Sequence, residues 1–411
     1  MSLLQAIPFW ILGALASGCA VYYTVVAVRV WRTHHVLPTA RDGATMPLPP
    51  GDPPSVCIVI PAHNEAGEIA GLVQSLRAQE YPSLSIVLAL DRCTDDTEAL
   101  ARHAAADDPR VEIITIDHCP DDWAGKVHAV HSGVQRSHAA KTADLLLFAD
   151  ADTRFDPKCV RATVALLFSR NLDMLSLLST LTNGAAFERI AQPAAGLELV
   201  RQYPLDRLNR PGSQVRFANG QFMLFRRETY EQIGGHEEVR HELLEDLGFA
   251  RVLRQPRHAK EFGCLMADGM LGCRMYEDWH AFRRGWKRIY TEAARRRVAH
   301  LRKDAWRLRM IGVGLPLISD AAFLAGIALW IWTDDRPLII AMLLCGLAGG
   351  IAFLAAMFQI YRMQRIPVIW SLLYPLGAWK VAGILSEAAA DLIAGRKTVW
   401  GGREYVREVA Q

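Results

Sequence analysis

Two acidic doublets carry the clearest chemical signal in this chain. Asp150 and Asp152, separated only by Ala151, close the apolar run Leu145–Ala149, and Glu245 and Asp246 lie side by side in HELLEDLGFARVLRQ. Carboxylates this close repel one another unless a cation joins them or both face water. Residues two apart on a strand share a face, so an Asp-x-Asp at a strand end suits Mg2+ or Mn2+, hard cations that bind carboxylate and phosphate oxygens together. The competing reading is a turn or helix cap, with Asp156 in the same role beside Pro157. The second doublet begins the second turn of an expected helix whose buried side is Leu243, Leu244, Leu247 and Ala250. On residue types alone it reads equally as an exposed acidic turn with His241 and Glu245 paired four residues apart.

The elements that must position these groups alternate. VCIVI (56–60), LSIVLAL (84–90), VEIITI (111–116) and DLLLFADAD (144–152) have strand character, and segments of helical spacing separate them, including one expected from Gly125 to His138. That alternation implies parallel βαβ units, and such sheets bind ligands beyond the carboxyl ends of their strands. Polar clusters fall there: PAHNE after the first strand, DRCTDD after the second, DAD after the fourth. Asn64 also fits a helix cap with Glu65 and Glu68 in the first turn, and Asp95 and Asp96 fit a helix start. Lys126 follows Gly125 at a helix N-terminus, where a cation and free amides suit phosphate; a solvated lysine is the plainer reading. His128 and His131 read as packing or surface histidines.

The 411 residues are 51% hydrophobic, and the excess is localised. Met1–Val28 carries no charged residue, and Ile311–Trp332 and Leu338–Ile360 are apolar runs long enough to cross a bilayer core of about 30 Å. Arg29, Arg32 and Arg41 follow the first run rather than precede it, which favours a retained anchor over a cleaved leader and places the following residues in the cytoplasm. The other two runs read as a hairpin. Ile366–Ser386, with Lys380, is expected to span, re-enter or lie in the interface. Gly346 and Gly350 have a small-xxx-small spacing. A net charge of +3 gives no argument for nucleic acid, and eight scattered cysteines without Cys-x-x-Cys indicate neither zinc nor disulfides.

PAHNE, LDRCTDDT, WAGKVHAVHSG, FADADTRF, GQFMLFRRETYEQIGGH and LLEDLGFARVLR together resemble, in that order, the motifs of inverting family 2 glycosyltransferases of the GT-A fold, over roughly residues 55–290. RMYEDWHAFRRGWKR and VWGGREY resemble the closing motifs of a membrane-bound subgroup that glycosylates lipids such as carotenoid acids and, by association, hopanoids. The resemblance implies Asp152 as principal metal ligand and Asp150 as a contact to metal or ribose. It implies Pro61, Ala62, Asn64 and Glu65 around base and ribose, Asp91 against a uracil ring, and Lys126 on phosphate. It makes Asp246 the general base, with Glu245 beside it, and puts Gln221 next to the acceptor. The family usually has Gly-Ser after the aspartate where this chain has Arg92-Cys93. Processive synthases carry Gln-x-x-Arg-Trp, which Gly285 interrupts here; Trp286 is expected to line the acceptor path.

The resulting expectation is an α/β protein: a cytoplasmic GT-A domain (Rossmann-like, mostly parallel sheet) at residues 52–300. It is flanked by an anchor at 1–30 and membrane helices at 308–390 (311–332, 338–360 and 366–386), with a cytoplasmic tail at 391–411. It would be a multi-pass enzyme of the cytoplasmic membrane that moves a hexose from a UDP-sugar to a lipid or isoprenoid acceptor with Mg2+ or Mn2+, without nucleic-acid partners. The alternatives are a synthase of extracellular polysaccharide and a non-catalytic membrane scaffold.

Overall fold

Runs of aliphatic and β-branched residues form the strands of a central sheet in the computed structural model, which describes residues 3–210, 212–255, 260–400 and 403–405. These strands are β1 (Val56–Ala62), β2 (Leu84–Asp91), β3 (Val111–Ile116), β4 (Leu145–Ala149), β5 (Met174–Leu178), β6 (Phe222–Arg226) and β7 (Phe262–Met266). Their order is 3-2-1-4-6-5-7, with β6 antiparallel to its neighbours and the other pairings parallel. Both faces are covered, Ile58, Ile60 and Leu147 packing on one side and Val59, Leu146 and Phe148 on the other. That is why these strands read as continuous apolar runs rather than alternating ones. The chain is therefore α/β with a mostly parallel sheet, as expected.

Helices follow the strands: α2 (Ile69–Arg77), α3 (Thr97–Ala105) and α4 (Gly125–Arg136). Two local expectations change. Asp150 and Asp152 lie beyond β4, in a turn where Thr153 N–H and Oγ1 both donate to the Asp150 carbonyl, at 3.3 and 2.7 Å. The turn, not a shared strand face, sets their spacing. The helix carrying the second doublet, α5, spans Glu245–Val252, because Leu244 is non-helical (φ −127°, ψ 86°). The acids thus stand in its first turn, where free amides and the helix dipole favour negative charge.

Before and after this sheet lie helices long and apolar enough to cross a membrane, four of them among the described residues. The first, α1, runs Leu3–Val36, beyond the expected limit at residue 30. Then come α6 (Trp279–Ala293), α7 (Val298–Arg309), α8 (Leu315–Trp332), α9 (Arg336–Met363) and α10 (Tyr374–Ile393). A π-helical turn, Met310–Gly314, joins α7 to α8, and Tyr23 of α1 donates to its Ile311 carbonyl at 2.8 Å. Trp306, 63% exposed, and Trp332, 84% exposed, bracket a rise from Met310 to Trp332 of about 34 Å at 1.5 Å per residue. Aromatics at both ends of such a stretch suit the two bilayer interfaces. Close packing of α8 and α9 uses Gly346 against the Phe323 backbone and Gly349 against Ser319. Gly350 has open space instead, so the second small residue is Gly349.

The expected third segment comprises a 3-10 turn, Val368–Leu373, and α10. It lies against α6 and α7 rather than beside α1. Arg283 and Lys287 of α6 bond Glu387 and Asp391 of α10 at 2.6 and 2.5 Å, and Lys380 sits 5.1 Å from the Trp279 ring centroid. Arg283 and Lys287, two of the basic residues in RMYEDWHAFRRGWKR, are therefore engaged within the protein. Both ends of this segment touch the α/β domain. Just before it, Arg365 pairs with Asp268 at 2.9 Å and its carbonyl accepts from Asn183; just after it, the hairpin Thr398–Trp400/Arg403–Tyr405 returns Tyr405 to the core beneath the sheet. Residues 401–402 and 406–411 of the expected tail lie outside the described residues. All eight cysteines are free.

Candidate active site

The loops at the carboxyl ends of β1, β2 and β4, the turn before β6 and the start of α5 converge on one cavity of about 1480 Å³. Pro61, Ala62, Asn64, Glu65, Asp91, Lys126, Asp150, Asp152, Gln221, Glu245, Asp246 and Trp286, the residues to which the resemblance gives a site role, all line it.

Lys126, in the first turn of α4, stands at its centre. Its Nζ is 2.5 Å from Asp150 Oδ1 and 2.5 Å from Glu245 Oε1, so a single ammonium joins the two doublets. The remaining members are held differently. Asp246 Oδ2 accepts the Gly220 N–H at 2.8 Å and Oδ1 accepts the Leu247 N–H at 2.7 Å. Burial, and then the charge of Glu245, push Asp246 up to about 7, against the pull of Lys126 and the two amides. Asp152 has Oδ1 buried with no hydrogen-bond partner among the described residues. Burial and then the charges of Asp150 and Glu65 raise it far above the usual carboxylate range. Glu65 is pushed up to about 7 by burial and then by Asp150 and Glu68. A set of acids that burial and mutual repulsion hold near neutrality marks a functional centre on physical grounds.

Other positions behave less simply. Asn64 adopts φ 56° and its Oδ1 accepts the Thr94 N–H at 2.8 Å, tying the β1 loop to the β2 loop rather than capping α2, which begins at Ile69. Asp95 takes the helix-start role, accepting from Thr97 N–H and Oγ1. Arg92, at φ 48°, forks onto both oxygens of Asp91 at 2.9 and 2.6 Å. The carboxylate expected to meet a uracil ring thus already carries a guanidinium. Gly125 allows this approach: a Cβ there would lie 3.1 Å from the Arg92 fork. Gln221 is spent on protein contacts, accepting from Ser179 Oγ and Asn219 Nδ2 and donating to Cys273 Sγ at 3.1 Å. His128 and His131 pack on Trp123, as a structural role predicts.

On the far side, Trp286 is 4% exposed between Phe282 and Tyr290, and its Nε1 has no partner among the described residues. Gly285, which interrupts the processive motif, is required by packing, since a Cβ there would strike the Tyr276 ring. Beyond Trp286 the lining comes from membrane-type helices and mixes apolar with basic and polar side chains: Tyr22, Tyr23, Val26 and Arg29 of α1, Ile311 of the π-turn, Phe358 and Arg362 of α9. The sequence singles out neither Tyr276, Arg288 nor Cys273, and it places Gly220 beside the acceptor only as part of the Asn219-Gly220-Gln221 turn. Only Arg288 had a signal of its own, its place among the basic and aromatic residues of HAFRRGWKR; Tyr276 and Cys273 are ordinary residues whose neighbours come from distant segments.

The Glycosyl transferase family 2 profile matches residues 57–234. The chain is 26% identical over 247 residues to the 4,4'-diaponeurosporenoate glycosyltransferase of Staphylococcus aureus strain MRSA252, covering 58% of this chain and 62% of that protein. The enzyme of the same description from strain bovine RF122 / ET3-1 is 25% identical over 245 residues, with the same coverage. The chain thus spans about three fifths of the length of the curated relatives it matches. Among solved structures, the mannosyltransferase PcManGT from Pyrobaculum calidifontis, in complex with GDP-Man and Mn2+, aligns at 16% identity with TM-score 0.47, over 94% of this chain and 99% of that one. S. aureus TarS 1-349 in complex with UDP-GlcNAc aligns at 12% identity with TM-score 0.41, over 86% and 96%.

Proposed function

We propose, from the match of residues 57–234 to the Glycosyl transferase family 2 profile, a membrane-bound inverting transferase that moves a hexose from a UDP-sugar to a lipid or isoprenoid acceptor. The observation that carries this reading is one cavity that joins the acidic carboxyl ends of the sheet to walls supplied by α1, the π-turn and α9, where apolar Tyr22, Val26, Ile311 and Phe358 stand among polar and basic residues such as Arg29, Gln359 and Arg362. Its volume exceeds the roughly 300–1,000 Å³ of an ordinary small-molecule site, which leaves room for a nucleotide sugar and an apolar body together.

On the donor side, Lys126 meets the diphosphate as a partly buried cation at a helix N-terminus. Asp152, with its bare oxygen, and Asp150 fit a divalent ion. Among the described residues no third His, Cys, Asp or Glu joins them as a cluster, so phosphate and water would complete the shell. When bound, Mg2+ or Mn2+ would neutralise charge on the departing diphosphate. On the acceptor side, Asp246 takes the hydroxyl proton as that oxygen bonds to the anomeric carbon, and UDP leaves with the electrons of the broken carbon–oxygen bond. Displacement from the face opposite the leaving group inverts the centre. With a carboxylate acceptor, ionised near neutral pH, Asp246 orients rather than deprotonates.

The enzyme belongs, on this reading, to the cytoplasmic membrane, with domain and tail facing the cytoplasm. Residues 366–386 lie in the interface, because a segment whose two ends both rest on the same domain does not cross a bilayer. Anchor, α8–α9 hairpin and interfacial α10 then hold the site at the boundary where a soluble donor meets a lipid. The test is purified protein in nanodiscs supplied with UDP-hexose and a lipid extract, with products read by mass spectrometry. A hexosylated lipid is expected; UDP-hexose consumed without any glycolipid, or not consumed at all, overturns the proposal.

A further inference from the structure

The turn before β6 connects the two halves of the site through hydrogen bonds that the reaction itself does not require. Ser176, fully buried in β5, accepts the Asn219 N–H at 2.8 Å and donates to the Asn219 carbonyl at 3.2 Å, which pins the turn to the sheet. Asn219 Nδ2 donates to the Leu177 carbonyl at 2.9 Å and to Gln221 Oε1 at 3.1 Å. Gln221 Nε2 then reaches Cys273 Sγ, and the residue after Cys273, Arg274, gives its N–H to the Asp152 carbonyl at 3.2 Å. In the other direction the next residue, Gly220, gives its N–H to Asp246 Oδ2. The three-residue turn Asn219–Gln221 therefore holds the candidate base on one side and, through Gln221 and the strand end at Cys273, the candidate metal ligand on the other.

Gly220 has a steric reason to lack a side chain. A Cβ there would lie 3.1 Å from Glu245 Oε1, 3.2 Å from Lys126 Nζ and 3.4 Å from Asp246 Oδ2. It would press on three charged groups at once, and the amide could no longer approach the carboxylate without moving them.

We propose that Ser176, Asn219, Gly220, Gln221 and Cys273 form a brace that fixes the separation of Asp246 from Asp152, and so the alignment of acceptor oxygen and leaving group. These are positioning residues; they rest on the glycosyl-transfer reading and act through the two aspartates. Fixed alignment matters because reacting atoms must start about 3–3.5 Å apart with orbitals in line, and a 1 Å misplacement costs on the order of 10²-fold.

Four variants test the brace in the full-length protein in nanodiscs. Gly220→Ala lowers kcat, counted per donor-binding site titrated by calorimetry, by at least about tenfold while the donor KM stays within about twofold; counting only molecules that bind donor removes any loss of folded protein from the comparison. Cys273→Ser, which keeps a donor and an acceptor at that position, retains several times the kcat of Cys273→Val. Asn219→Ala speeds alkylation of Cys273, mapped by peptide mass spectrometry, while the fully buried Cys57 and Cys264 stay protected. The last measurement needs no turnover, so it judges the brace even if the wild type transfers no sugar, an outcome that sinks the functional reading alone. Unchanged kcat in Gly220→Ala, equal activity of the two Cys273 variants, or unchanged Cys273 labelling overturns the brace.

Discussion

The two acidic doublets share one cation and otherwise have opposite surroundings. Lys126 takes Asp150 from the first and Glu245 from the second. What remains of the first is Asp152 with a buried, unpartnered oxygen; what remains of the second is Asp246 with both oxygens held by backbone amides. An unsatisfied buried oxygen is costly unless something completes it, which suits a site awaiting a cation. A carboxylate held at both oxygens has a fixed direction, which suits a base that must meet one proton in one place. The comparison teaches that identical side chains are given different work by their neighbours.

The sharpest way to break the comparison is to neutralise one member at a time. Asp246→Asn should lower sugar transfer by about 10²–10⁴-fold, the usual contribution of a positioned base, with donor affinity by calorimetry unchanged within about twofold. Asp152→Asn should cost activity of similar size but also abolish the response to added Mg2+ or Mn2+. If both variants lose metal response equally, the doublets are not distinct. Lys126→Met should come next, raising the donor KM by about tenfold as Asp150 and Glu245 lose their shared counter-charge and the diphosphate loses a cation.

A gentler probe is pH. Asp246, lifted to about 7 by burial and Glu245, must be ionised to accept a proton. kcat should therefore climb as pH rises through about 7 and level off above it; stopped assays across the range would record this. A flat profile removes Asp246 as base and leaves it to orient an acceptor that is already ionised. The smallest effect belongs to the base-binding loop. Arg92→Gly frees the Asp91 carboxylate and should raise the ratio of UDP- to GDP-donor kcat/KM by a few-fold, measured by competition; an unchanged ratio means Arg92 has no part in reading the base.

Much of the site was legible before any coordinates. Asp150, Asp152, Lys126 and the Glu245–Asp246 pair stand out because strong polar groups at the ends of apolar runs have few cheap structural explanations. The crowding that requires glycine at position 220, and the place of Cys273, were not legible. A glycine becomes informative only when the atoms crowding it are known, and those belong to residues about 26 and 94 positions away in the chain. The role expected of Gln221 also shifted, because its amide is saturated by Ser179, Asn219 and Cys273. Asp91 was placed in the cavity, but the substitution beside it could not announce that Arg92 would fold back onto its carboxylate.

The sequence alone determined the alternation of strands and helices, the sheet it implies, and the apolar lengths of α1, α8 and α9, because burial of apolar surface depends on periodicity and run length that any reader can count. Tertiary structure decided the rest. It chose Lys126 as the common partner of both doublets and replaced Gly350 by Gly349 at the helix contact. It also laid α10 on α6 and α7 through Glu387 and Asp391 instead of among the other apolar helices. The physical reason is that charge pairing and close packing depend on distances between segments far apart in the chain, and composition carries no record of those distances.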